Sequence, residues 1–307
     1  MTTQRIEFNS VDKKLVGTLY LPENFDETGS YKTVVMTPPA HQIKEQTLAV
    51  YGPKFAALGY IAFAFDYNTK GESESYAKGF RNDEHAFRKH EDLRNAISYL
   101  SSLPYVDRER LYGIGICGGG NIMSSVVITD LRIKAFASIS AMLATDALFY
   151  ENKEAFAAMI TAANDARQRM YESSDAENMD LFGADNPNYL KDNPAASTAE
   201  REGFDYYGTA RAGSARYERF SNQVLSNIYE SATLNIGERY ADKILQPYLG
   251  IVGENAETAF ATEGFFTKVT SPKEYFVVKG ATHVDLYDVD EYVDVAAKRI
   301  DQFFSGL

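Results

Sequence analysis

Residues 110–116 (RLYGIGI) run without a break into Cys117-Gly118-Gly119-Gly120, and a helical pattern follows at residues 121–129. A short apolar run, a glycine cluster and then a helix constrain this chain more than any other feature. They predict a sharp strand-to-helix turn with a cysteine at its apex. Gly115-Ile116-Cys117-Gly118-Gly119 is the cysteine form of the G-x-S-x-G nucleophile elbow, where small residues two before and two after the nucleophile let the backbones pass closely. The helix start would add a positive dipole end that favours thiolate over thiol. Its free N–H groups, beginning with Gly118, can hold an oxyanion. Glycine loops that open helices also bind phosphate, but GICGGG lacks the Lys-Ser/Thr of a P-loop and the spacing of G-x-G-x-x-G.

The rest of the chain supplies a frame for such a turn. Residues 5–21 read as two short strands. Residues 33–37 (TVVMT) read as a buried parallel strand, residues 60–67 (YIAFAFDY), 134–140, 248–253 and 274–279 as further strands, and residues 48–58, 83–103 and 288–304 as helices. The alternation predicts a mostly parallel sheet with helices on both faces. Between about residues 145 and 241 it stops, replaced by a helix-rich stretch with many Tyr, Asn and Arg and no evident strand. At roughly ninety residues this is far longer than an ordinary connection. The expected organisation is an α/β core in two pieces, residues 1–145 and 241–307, with residues 146–240 as a helical cap over the strand ends, where such sheets place their sites.

Composition narrows the function. The 307 residues carry a net charge of −12, so the basic footprint of a nucleic-acid binder is missing and an anionic lipid surface is not attracted. One cysteine excludes an intrachain disulfide and a cysteine zinc site. MTTQRIEFNS has neither the basic nor the apolar region of a signal peptide, and no stretch approaches a membrane span, so a cytoplasmic protein is expected. No metal or organic cofactor is called for. The expected partner is a small-molecule acyl substrate, and a homo-oligomer is left open.

Nucleophile, acid, histidine is the chain order of this elbow type. His283, in Gly280-Ala281-Thr282-His283, is the one histidine after Cys117 and lies between the last predicted strand and the last helix, so it is the expected base. The acid should follow residues 248–253; Glu257 suits the usual offset after the glycine, with Glu254 as the alternative. A second oxyanion N–H should come from Pro38-Pro39-Ala40-His41-Gln42, from Ala40 or His41, and the His41 ring could face substrate or a neighbouring side chain. His85 and His90 read as surface or structural. Tyr150, Tyr171, Tyr189, Tyr206, Tyr207 and Tyr217 are candidate pocket or packing residues in the insertion.

Taken together these motifs resemble the dienelactone-hydrolase-like branch of the α/β-hydrolases, whose triad is Cys, Asp and His. Within it the chain is similar to a group of bacterial hydrolases and fungal polyketide transferases. The shared residues are Lys44-Glu45-Gln46, Phe65-Asp66, Gly71-Glu72-Ser73, Gly115-Ile116-Cys117, Tyr206-Tyr207-Gly208-Thr209, and Gly280 to Asp285 (GATHVD). The resemblance runs from about residue 5 to the C-terminus. It implies an α/β-hydrolase fold and hydrolysis or transfer of an ester, thioester or lactone acyl group. There are two departures: Ala40-His41-Gln42 replaces a usually glycine-rich oxyanion loop, and Glu stands where relatives often have Asp. The insertion also exceeds that of the simple dienelactone hydrolases, so their substrate is not carried over. The expected reaction is acyl transfer through a thioester at Cys117. The rival readings are an acyltransferase or C–C hydrolase on the same triad, and a silent scaffold that binds a ligand or partner.

Overall fold

A computed structural model describes residues 1–77 and 79–307. Its centre is an eight-stranded sheet in the order β1-β2-β4-β3-β5-β6-β9-β10. The strands are β1 (Thr2–Ser10), β2 (Lys13–Leu21), β3 (Tyr31–Thr37), β4 (Ile61–Phe65), β5 (Val106–Ile116), β6 (Phe136–Ile139), β9 (Tyr248–Gly253) and β10 (Lys273–Val278). β1 and β2 pair antiparallel, as do β2 and β4; every later pairing is parallel. The sheet is the expected mostly parallel one.

Period-two alternation divides its side chains between two cores. Val34, Met36, Ile114 and Ile116 face one, together with Tyr51 and Phe55 of α1 (Thr47–Ala57) and Val293, Ile300 and Phe304 of α12 (Asp290–Ser305). Val35, Leu111 and Phe63 face the other. There they meet Leu93 and Ile97 of α2 (Ala86–Ser102), Met123 and Val127 of α3 (Gly118–Val127), and Phe265 of α10 (Ala259–Lys268). The central strands β4, β6 and β9 are buried on both faces, as unbroken apolar runs encode.

Between β6 and β9 lie α4 (Thr145–Phe149), α5 (Lys153–Ser173), α6 (Tyr189–Asp192), α7 (Thr198–Tyr207), α8 (Tyr229–Ala232) and α9 (Ile236–Arg239). This stretch also contains β7 (Asn178–Asp180) and β8 (Gln223–Leu225), which pair antiparallel. They leave no sign in the sequence, because three residues are too few to show a period. The turn α11 (Asp285–Asp288) precedes α12. Among the described residues no helix is long and apolar enough to cross a membrane.

The stretch is fastened to the core through the loop after β3. Gln42 donates to the Tyr207 hydroxyl (3.1 Å), Thr47 bonds the Tyr206 hydroxyl (3.1 Å), and Gln46 donates to the Ala212 carbonyl (2.7 Å). That loop is braced from below by the motif residues. The buried Lys44 ammonium meets Asp66 (2.9 Å), Glu72 (2.7 Å) and Glu45 (2.5 Å). Gly71 has φ +46°, and a β-carbon there would lie 2.2 Å from the Asp66 carboxylate, so the bend around this ion cluster requires glycine. Lys44-Glu45-Gln46, Asp66 and Gly71-Glu72-Ser73 thus form one brace.

Candidate active site

Cys117 joins β5 to α3 with φ +49° and ψ −118°. A residue with a β-carbon holds such a backbone at a cost of about 1–3 kcal/mol and only when its surroundings over-determine it. Here they do. A β-carbon on Gly115 would sit 2.6 Å from the Gly120 Cα, and one on Gly119 would sit 2.3 Å from the Thr37 carbonyl oxygen. The Cys117 N–H donates to Ile139 (3.0 Å), and its carbonyl accepts from Gly120 (2.9 Å). Main chain therefore packs on main chain around the elbow, and Cys117, half-buried as a residue, lines a cavity of about 440 Å³.

The N–H groups of Gly118 and Ala40 lie near enough to this sulfur to favour its thiolate form. The two residues approach closely, since a β-carbon on Gly118 would lie 3.1 Å from the Ala40 nitrogen. Of the two loop donors expected from sequence, His41 is otherwise engaged. Its N–H donates to the Glu84 carboxylate (3.0 Å), and its ring lies among Phe182, Tyr207 and Phe220 with centroids 5.2, 4.5 and 5.1 Å away. Burial, with Lys70 nearby, pushes the His41 imidazole down to about 3. Its ring thus packs on neighbouring side chains and is not among the groups lining the cavity. His85 is half-buried and His90 buried, and neither reaches the cavity.

His283 lines the same cavity as Cys117. Both ring nitrogens are taken by hydroxyls: Nδ1 by Thr258 and Nε2 by Tyr287, at 2.7 Å for the latter. Its main-chain N–H donates to Glu202 of α7 (3.2 Å). Burial lowers the imidazole to about 4. Burial also raises the Cys117 thiol, an effect that the nearby Tyr287 hydroxyl and the Gly118 and Ala40 N–H groups only partly offset. The helix-start dipole expected to favour thiolate is outweighed, because removing water penalises an unpaired thiolate more than a half-charge stabilises it.

Neither expected acid is brought to the imidazole. Glu257 is exposed and turns to the opening turn of α7, where it accepts from Ala199 (3.0 Å); bonds to Thr198 and Ala199 lower its pKa. Glu254 is exposed and accepts from Gly280 (2.9 Å). The chain leaves β9 so that Thr258, one residue beyond Glu257, faces the ring. No signal in the sequence marked a hydroxyl for that place. Tyr287 was findable: it follows His283 by four residues, the spacing that puts two side chains on one face of a helical turn. Of the six insertion tyrosines singled out, Tyr207 lines the cavity, Tyr206 is buried against Tyr287 and Thr47, and Tyr171 is exposed.

The cavity wall is largely apolar, with Ile122, Leu148, Phe149, Leu181, Phe182 and Ile228. Glu84 and Lys89 add a buried ion pair (2.6 Å), and Lys70 lies 2.9 Å from the other Glu84 oxygen. Burial alone would raise the Glu84 carboxyl, but Lys70 and Lys89 hold it well below the usual range. Among the described residues no group of three or more His, Cys, Asp or Glu is placed to hold a metal ion.

Comparison with known proteins agrees with this architecture. Residues 16–173 match the model of the dienelactone hydrolase family. An uncharacterized Escherichia coli (strain K12) protein, YcjY, is 29% identical over 314 residues, covering 99% of each chain. The crystal structure of the hypothetical protein PA2218 from Pseudomonas aeruginosa superposes with a TM-score of 0.85 at 26% identity, covering 99% of this chain and 93% of that one. The α/β-hydrolase GrgF from Penicillium sp. sh18 shares the fold, with a TM-score of 0.75 at 18% identity over 99% and 98% of the two chains.

Proposed function

The chain belongs to the dienelactone hydrolase family, and from that premise we propose that this hydrolase cleaves an ester, thioester or lactone through an acyl-thioester at Cys117. The observation that carries the reading is the convergence of the Gly118 and Ala40 N–H groups at a sulfur held on a strained elbow, in one cavity with His283. As the sulfur attacks, the carbonyl oxygen develops charge beside those two donors, which are fixed beforehand by backbone packing. His283 removes the thiol proton and later returns it to the leaving group; water then releases the acyl group. With the thiol raised and the imidazole lowered, the resting pair is neutral, and the proton moves during attack. In this reading the Nδ1 proton is donated to Thr258, so that Nε2 carries the lone pair that meets the Tyr287 hydroxyl and acts as the base. The site residues of this reading are Cys117 and His283, with Gly118 and Ala40 as oxyanion donors. Thr258 takes the place at the ring where Glu257 or Glu254 was expected.

The test is hydrolysis of p-nitrophenyl acetate and short-chain thioesters by wild type and Cys117→Ala. Loss of turnover in the variant, with an acetyl adduct on wild-type Cys117 by mass spectrometry, is the expected result; equal rates remove Cys117 from the mechanism. One observation favours a second reading, a ligand-binding scaffold: a neutral hydroxyl stands at His283 Nδ1 in place of a carboxylate. Slow iodoacetamide labelling of Cys117, unchanged by His283→Ala, would select it.

A further inference from the structure

We propose that the Tyr287 hydroxyl relays the proton between the Cys117 thiol and His283 Nε2, making it a third catalytic group of the acyl-transfer step. The inference rests on the thioester reading above. The hydroxyl lies 2.7 Å from Nε2 and lines the same cavity as Cys117, close enough to the sulfur that each group shifts the other's ionisation. The side chain is 1% exposed yet lines the cavity, so its hydroxyl is shielded from bulk water and faces the reacting atoms.

Its position is fixed from three sides. The Tyr51 hydroxyl donates to the Leu286 carbonyl (2.7 Å), and Arg211 bonds Asp288 (2.6 Å and 2.9 Å). The Tyr206 ring meets that of Tyr287 edge-on, with centroids 5.1 Å apart. A tyrosine clamped this firmly on the imidazole, in one cavity with the thiol, is placed to pass a proton in both directions.

The step balances as follows. Sulfur forms a bond to the carbonyl carbon, and the C=O π electrons move to the oxygen held by Gly118 and Ala40. The S–H proton passes to the Tyr287 oxygen as the phenolic proton passes to Nε2. Tyr287 ends neutral and the imidazole ends cationic, with Nδ1–H still on Thr258. On collapse Nε2–H returns its proton to the phenol oxygen, and the phenolic proton goes to the leaving oxygen or sulfur. No tyrosinate is formed, which suits a phenol whose ionisation is opposed by burial and by the neighbouring sulfur.

The experiment is single-turnover acylation by p-nitrophenyl acetate in wild type, Tyr287→Phe, Cys117→Ala and His283→Ala, with a proton inventory in H₂O/D₂O mixtures. The expected Tyr287→Phe result is an acylation rate down roughly 10- to 100-fold, part of the usual span of acid–base catalysis. KM should be unchanged, and a curved inventory in wild type should become linear in the variant. A variant within two-fold of wild type overturns the relay. So does a slowed variant with a linear inventory in both proteins, which would make Tyr287 an oxyanion donor. If Tyr287→Phe does not fold, the wild-type inventory decides alone: curved supports the relay and linear overturns it. Equal rates in wild type and Cys117→Ala overturn the thioester reading and the relay with it, whereas a normal Cys117→Ala loss beside an unaffected Tyr287→Phe overturns the relay only.

Discussion

Thr258→Asp would place a carboxylate on the Nδ1 side of His283, where the structure has a hydroxyl. In the wild type no charge offsets burial, and the imidazole is lowered to about 4. An opposite charge in contact with a titrating group moves its pKa by about 1–3 units toward the charged form. The variant's imidazole should therefore titrate at about 5–7. The same shift corresponds to about 1.4–4 kcal/mol of extra stabilisation of the imidazolium formed when the thiol is deprotonated. Two readouts follow from kcat/KM for p-nitrophenyl acetate against pH. The acid limb should lie near 4 in wild type, activity falling below it as Nε2 takes a proton, and in Thr258→Asp it should move up by at least one unit. On the plateau the variant should be faster, by about 10-fold for each 1.4 kcal/mol realised in the transition state. A wild-type limb already at 6–7 would refute the argument, since it would mean that an acid or water reaches the ring. So would a limb that Thr258→Asp leaves in place.

Other perturbations test the scaffold. Gly119→Ala would set a methyl group 2.3 Å from the Thr37 and 2.5 Å from the Pro38 carbonyl oxygens; main chain cannot yield there, so a loss of about 1–3 kcal/mol is expected in urea unfolding, together with weakened acylation. Lys44→Met would strand Asp66, whose side chain is fully buried, and should cost about 3–5 kcal/mol by chemical denaturation. Acid should destabilise the fold. The folded pKa of His283 is depressed, so its contribution is present in full above the unfolded value of about 6.5 and is lost as pH falls toward 4, at about 3 kcal/mol for this group. His41 and His90, at about 3 and about 4, act in the same direction. Thermal melts from pH 7 to pH 4 should show Tm falling, and a flat profile would contradict these burials.

Legibility followed the length scale of the signal. Strands buried on both faces leave unbroken runs such as YIAFAFDY, and the elbow leaves four glycines around a cysteine, so the sheet and the position of Cys117 could be read directly. That His283 would share a cavity with Cys117 could be read from chain order. The choice between Ala40 and His41 could not, because it turns on a carboxylate, Glu84, forty-three residues along the chain that takes the His41 N–H. The acid failed for a related reason. One residue decides whether a side chain points at the ring or away, and the neighbouring helix start draws Glu257 outward while Thr258 faces inward. The Lys44 brace was visible only as separate short motifs, since what unites them is a salt-bridge geometry that sequence spacing does not encode.

The substitution of a hydroxyl for a carboxylate beside His283 is coherent with the rest of the cavity. A buried ion pair is stable only when desolvation of both charges is repaid by close, fully bonded geometry. Here the thiol is raised by burial and the imidazole lowered by it, so a resting thiolate–imidazolium pair is disfavoured at both ends. A carboxylate at Nδ1 would restore half of that balance and add a third desolvated charge. With Thr258 on one ring nitrogen and Tyr287 on the other, the imidazole is hydrogen-bonded at both nitrogens, and imidazole, phenol and thiol are all neutral at rest. In the proposed reaction charge then arises only in the transition state, at the carbonyl oxygen beside two fixed N–H donors and on the imidazole. A site built in this way favours substrates whose leaving group is acidic enough to depart with little proton assistance. Activated esters and thioesters should therefore turn over faster than alkyl esters, and a steep dependence of kcat/KM on leaving-group pKa is the expected result. Equal rates for p-nitrophenyl and ethyl esters would mean that the imidazolium is better stabilised than this neutral site allows.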